Sequence, residues 1–190
     1  NSVAAVSKND VWAVGAYSLS NHSNQSLIEH WNGTAWSSVS SPSNYSNLYG
    51  VTALSSNNIW AVGCYDSSSN QGLVEHWNGT IWSVVSTPTL NACLESVAAV
   101  SSNNIWAVGF AFIGGIGVSL IEHWNGIGWS IVSSPKLNGS NAGLESVAAV
   151  SNNNVWAVGS YNNNNVGQTV IEHWDGTTWS IVSTPATKTS

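Results

Sequence analysis

All twelve tryptophans of this chain fall on three positions of a unit that occurs four times in 190 residues. Trp12, Trp60, Trp106 and Trp156 open the tetrapeptide WAVG. Trp31, Trp77, Trp124 and Trp174 end the tripeptide EHW, and Trp36, Trp82, Trp129 and Trp179 follow five residues later. Successive WAVG copies are 48, 46 and 50 residues apart, and Pro42, Pro88, Pro135 and Pro185 close the copies. A period of that size marks a repeat architecture, in which each unit buries its apolar face against the next. An indole that returns in register is first of all a packing group. Burying one removes roughly 150–250 Å² from water, worth at most ~4–6 kcal/mol at about 25 cal/mol per Å².

Every signal within a unit is β. SVAAVS (2–7, 96–101, 146–151), replaced by GVTALS at 50–55, is a short run of small and β-branched residues. A polar turn (KND, SNN or NNN) leads into VWAVG or IWAVG, and a variable Asn/Ser/Gly loop leads into a third run ending in EHW. Asn-Gly or Asp-Gly follows in all four copies, the pair that suits a two-residue type I′ hairpin turn. The fourth run, TAWSSVSSP in the first copy, ends at Pro, which cannot donate to a ladder. No segment carries an extended 3.6-residue apolar period. The expectation is an all-β chain of four-stranded antiparallel blades, a β-propeller with four repeats of about 47 residues. The Ala-rich strand belongs at the crowded axis. Residues 1–190 then form one domain, with blades at about 1–43, 44–91, 92–140 and 141–190. Boundaries in phase with the repeat suit a closed four-bladed ring, which is the favoured arrangement, or part of a longer array.

The pattern DVWAVG…IEHWNGTAWSSVSSP resembles the Trp-rich, kelch-like propeller repeats of bacterial secreted proteins, and the unit is similar in length and Trp content to the blades of tachylectin-2, a sugar-binding propeller. The resemblance covers the whole chain and implies the fold. It transfers no ligand residue, because the kelch Gly-Gly doublet and the Ser-x-Asp spacing of Asp-box turns are absent, and HWDG at 173–176 is not the WD40 signature.

Composition narrows the partners. Only 6% of residues are charged, and three Lys/Arg against nine Asp/Glu give a formal charge of −6. Phosphate neutralisation needs clustered cations, so nucleic acid is not an expected partner, nor is an anionic membrane surface. No apolar run is long enough to span a bilayer as a helix. The polar surface is Asn, Ser and Thr, as in secreted proteins that meet neutral polymers, so an extracellular location is expected. The chain has no Met, which suits a processed product or a fragment. Cys64 and Cys93, the two cysteines, form either one disulfide in an oxidising compartment or two buried thiols. N-glycosylation sequons outside the tight Asn-Gly turns stand at Asn21, Asn24, Asn44 and Asn138.

Four Glu-His pairs, Glu29/His30, Glu75/His76, Glu122/His123 and Glu172/His173, are the conspicuous titratable groups. On a strand, neighbouring residues face opposite sides, so the two members of a pair point apart and cannot act on each other within a unit. Buried polar groups need partners. The pairs are therefore expected to tie blades together, Glu of one against His or a Trp N–H of the next. Four equivalent copies lack the asymmetry of a catalytic centre, and no ligand spacing suggests a metal. No cofactor and no enzymatic activity are expected.

Function on such a scaffold belongs in loops. Those after WAVG (16–26, 64–72, 110–119 and 160–169) vary most, and three carry Tyr near their start: Tyr17, Tyr65 and Tyr161. The third has Ala111 between Phe110 and Phe112. An aromatic ring beside amides and hydroxyls suits a sugar, whose apolar face stacks while its hydroxyls are bound. The sequence thus points to a multivalent extracellular binding module, with glycans as the first class of ligand. The alternative is a structural subunit of an extracellular filament or surface assembly, whose partners are copies of itself.

Overall fold

The computed structural model describes residues 1–20, 23–66, 71–88 and 91–184. His22, the sequon at Asn21 and the last repeat's Pro185 lie outside them. The described residues form sixteen strands and no helix. The first sheet contains β1 (Ser2–Ser7), β2 (Asp10–Ser18), β3 (Asn24–Trp31) and β4 (Trp36–Val39). The second contains β5 (Ser46–Ser55), β6 (Asn58–Tyr65), β7 (Gly72–Trp77) and β8 (Trp82–Val85). The third contains β9 (Ala92–Ser101), β10 (Asn104–Ile113), β11 (Ile116–Trp124) and β12 (Trp129–Ile131). The fourth contains β13 (Ser140–Ser151), β14 (Asn154–Asn163), β15 (Val166–Trp174) and β16 (Trp179–Ile181). Each sheet is an antiparallel meander in chain order, as the repeat predicts.

The first strands of the four sheets, β1, β5, β9 and β13, lie innermost, each packed on the next. Consecutive sheets meet through one joint built three times. A leading face contributes the WAVG tryptophan, and a trailing face contributes the two outer tryptophans of the following blade. Trp12 thus sits 5.1 Å from Trp77 and 5.5 Å, edge to face, from Trp82. Trp60 repeats this with Trp124 and Trp129, and Trp106 with Trp174 and Trp179. Of these contacts, the edge-to-face ones suit the ring quadrupoles, and the others are tilted by about 50°.

The three joints are three separate apolar clusters, and among the described residues no cluster joins the fourth sheet to the first. The favoured closed ring is thereby corrected. The sheets form an open arc of four blades, the other arrangement the repeat allows.

The Asn-Gly turns also differ from expectation. Trp31 pairs with Trp36 across β3 and β4, leaving a four-residue loop rather than a two-residue one. Gly33 has φ +93°, whereas Asn32 keeps a negative φ. The Asn32 carboxamide oxygen accepts from Thr34 N at 2.9 Å and Ala35 N at 3.0 Å, an Asx turn. Asn78, Asn125 and Asp175 do the same in the other blades. At Asp175, donation from the Thr177 hydroxyl and from the Thr178 and Thr177 amides holds the carboxyl at about 2.

Candidate functional site

The EHW strands place Glu and His on opposite faces, and each finds a different partner. Glu75, Glu122 and Glu172 are fully buried. Each accepts from a hydroxyl of the preceding blade: Ser41 Oγ donates to Glu75 at 2.8 Å, Thr87 Oγ1 to Glu122 at 2.6 Å, and Ser134 Oγ to Glu172 at 2.9 Å. The donor is the residue before each closing Pro, which sequence reasoning missed. Its signal was available, because Ser or Thr holds that position in all four copies (Ser41, Thr87, Ser134, Thr184). Burial pushes the Glu75 carboxyl up against the lowering effect of Ser43 and Ser41, and pushes Glu172 up to about 7. The second carboxyl oxygen of Glu75 and of Glu172 is buried without a partner, so little compensates for the loss of water. Among the described residues no hydroxyl of another blade meets Glu29, which is only half-buried.

The histidines correct the expectation of an inter-blade tie. His30 stands opposite Trp12 in the β2–β3 register, so the two rings share a face and stack with centroids 4.3 Å apart. The same pairing recurs at Trp60–His76, Trp106–His123 and Trp156–His173. His30 Nε2 lies 2.9 Å from Asp10 Oδ1, which also accepts from Trp12 Nε1 at 3.0 Å. Asn58, Asn104 and Asn154 receive His76, His123 and His173 at 2.9, 2.9 and 3.1 Å. An amide oxygen only accepts, so Nε2 carries the proton in those three. Burial lowers the pKa of His76 and His123, which favours the neutral ring. The histidine is thus a bracket within its own blade, holding the joint tryptophan in place. Among the described residues no group of three or more His, Cys, Asp or Glu side chains is arranged to hold a metal ion.

The hairpin aromatics are not equivalent. Tyr17, opposite Gln25, is exposed. It lines a groove of about 360 Å³ with Gln25, Ser26 and residues 38–41. Tyr65 is half-buried, packs on the joint between the first two sheets and sits 3.5 Å from Ser43 Oγ. It borders a groove of about 350 Å³ with Asn44, Tyr45, Asp66 and Gln71. Phe110 and Phe112 meet edge to face at 5.5 Å. With Glu95, Asn141, Glu145 and Ser160 they line a groove of about 320 Å³ between the third and fourth blades. Burial, then the nearby Glu145 charge, raises the Glu95 carboxyl. Tyr161 packs against the last joint. The structure therefore brings Phe110 and Phe112 together and leaves the tyrosines on separate blades.

Cys64 of β6 and Cys93 of β9 are joined by a disulfide that links the second and third sheets. Of the candidate glycosylation sites, Asn44 and Asn138 are exposed. Asn24 is half-buried, with its carboxamide oxygen accepting from Ser18 Oγ at 2.9 Å and its backbone N–H donating to Asp66 Oδ2 at 3.2 Å.

No protein-family model matches the chain, and no curated protein matches it in sequence. Solved structures do match. A fungal lectin from Aleuria aurantia, a six-bladed β-propeller described with a novel mode of fucose recognition, superposes with a TM-score of 0.62 at 14% identity, over 99% of this chain and 64% of that one. This chain therefore spans less than two thirds of the lectin's length. YCF48 bound to a D1 peptide gives a TM-score of 0.46 at 10% identity, over 94% of this chain and 79% of that one. The likeness to the lectin establishes the fold: these four sheets are β-propeller blades.

Proposed function

We propose that this chain is a non-enzymatic, extracellular carbohydrate-binding propeller. The observation that carries the reading is the groove beside Tyr17, where an exposed ring borders the uncharged amide of Gln25, the exposed hydroxyls of Ser38 and Ser40 and the apolar Val39. The groove of Phe110 and Phe112, with Asn141 and two carboxylates, is the second candidate subsite. Tyr65 and Tyr161 are half-buried against the joints and so offer less ring surface than Tyr17. Grooves that differ from blade to blade bind one polymer at several weak points, which gains strength by avidity. The fucose-recognising lectin shows that such a scaffold hosts sugar sites elsewhere. A disulfide suits an oxidising compartment, which supports export.

A glycan array at high protein density tests the proposal. A defined set of glycans should bind, and Tyr17→Ala should weaken that binding by about tenfold or more, in line with the loss of a central aromatic anchor. A blank array, or binding unchanged in both Tyr17→Ala and Phe112→Ala, removes it. A second reading, a subunit of an extracellular assembly, is favoured by the apolar side chains exposed on the first and fourth blades, Trp36 and Val3 on one and Trp156 and Val158 on the other.

A further inference from the structure

The residues that build every internal joint occur once more at each end of the described arc, where no cluster of described residues covers them. On the leading face, Trp12, Trp60 and Trp106 are 2–3% exposed, yet Trp156 is 37% exposed. Val14, Val62 and Val108 are buried, and Val158 is exposed. Ile28, Val74 and Ile121 are fully covered, whereas Ile171 is half-buried. The trailing face shows the mirror of this. Trp82, Trp129 and Trp179 are 4–8% exposed, but Trp36 is 47% exposed. Val51, Val97 and Val147 are buried, and Val3 is 63% exposed. Leu73, Leu120 and Val170 are buried, and Leu27 is half-buried.

The polar parts of the joint are split the same way. Ser41, Thr87 and Ser134 each donate to a glutamate of the following blade. Thr184 holds the donor position at the fourth blade and is exposed, and Glu29 holds the acceptor position on the first. Ser2 Oγ accepts from Val51 N at 3.3 Å and Ser96 Oγ from Val147 N at 3.2 Å across two joints. Ser146 occupies that acceptor position on the fourth blade, and Val3 the donor position on the first. The two ends are therefore the two halves of one joint, matching in indole placement, apolar surface and hydrogen-bond polarity.

From this complementarity we infer that the leading face of the fourth blade docks the trailing face of the first blade of a second copy of this chain, head to tail. Trp156 inserts between Trp31 and Trp36 of the next copy, and the Thr184 hydroxyl of one copy meets Glu29 of the other. The contact is heterologous, so copies add in one direction. They close into a ring if the rotation per copy allows and otherwise extend into a filament. The occupant is a second copy because the surface it must match is the other end of this molecule, continuous with three joints already formed. The inference does not depend on glycan binding, and its test uses no glycan.

Light scattering on the full chain across a concentration series should give a mass of two or more chains. Trp156→Glu and Trp36→Glu should each hold the mass at one chain, with circular dichroism unchanged, because both side chains are exposed in the single chain. An equimolar mixture of the two variants retains one good face of each kind, so it should return to a mass of two chains and stop there. Should either variant fail to fold, Val150→Asp and Val3→Asp burden the same two exposed faces and carry the same expectations. A one-chain mass for the wild type at every concentration, persistent assembly of a single variant, or a mixture that stays at one chain overturns the inference.

Discussion

At the scale of single residues, the joint glutamate makes stability depend on pH. Glu172 is held at about 7 chiefly by burial, against an ordinary value of 4.5. The folded chain therefore binds more protons than the unfolded chain between those values, and stability falls as pH rises through that window. Melting curves should show the protein more stable at pH 5 than at pH 8. Glu172→Gln should make the slope shallower, leaving the part due to the raised Glu75 and Glu95 carboxyls, and stabilise at pH 8 by about 1–2 kcal/mol. A profile that keeps its slope in the variant assigns the effect elsewhere. The WAVG glycines give a second contrast. A Cβ on Gly63 would overlap the Asn47 carbonyl across the inner-strand bulge, whereas one on Gly15 would meet only the Asn1 nitrogen at 3.5 Å. Gly63→Ala should cost about 2–4 kcal/mol, and Gly15→Ala should be neutral or gain a few tenths, both read by chemical denaturation. Strand alternation made the divergence of Glu from His legible in sequence. The identity of their partners was not, because period-2 logic assigns a face and says nothing about which group of another sheet covers it.

At the scale of elements, four strands per repeat and their order were readable from apolar runs and turn residues. The turn after EHW was misread for a physical reason. Loop length is set by the cross-strand pairing of Trp31 with Trp36, and the Asn side chain satisfies the turn amides that a type I′ backbone would otherwise satisfy. The disulfide belongs to this scale as well. It links β6 to β9 across 29 residues of chain, a closure whose loss removes about 3–4 kcal/mol in the chain-entropy description. Reduction, or Cys64→Ser with Cys93→Ser, should lower the unfolding midpoint by that order while leaving the circular-dichroism spectrum of the native state intact. An unchanged midpoint would place the constraint outside the folding equilibrium.

At the scale of the whole molecule, burial is uneven along the arc. β6 and β10 are buried along most of their length, whereas β1 alternates between half-buried and exposed residues and β14 between buried and exposed ones. In a stack held by nearest-neighbour joints, the ends have one joint and the middle has two. Hydrogen exchange should therefore show greater protection in β6 and β10 than in β1 and β14 for the single chain, and equal protection throughout would refute the stack description. The sequence specified the blade but not the arc, because closure depends on the angle added at each joint, and small angles accumulate from contacts that no repeat period encodes. The uniform joint has an evolutionary consequence. Unequal recombination between repeats in phase adds or deletes a blade while every surviving seam keeps its indole and its hydroxyl–carboxyl pair. Such a gene can change length in steps of one repeat without inventing a new surface, whereas an out-of-phase crossover breaks the strand order and is lost to selection at once.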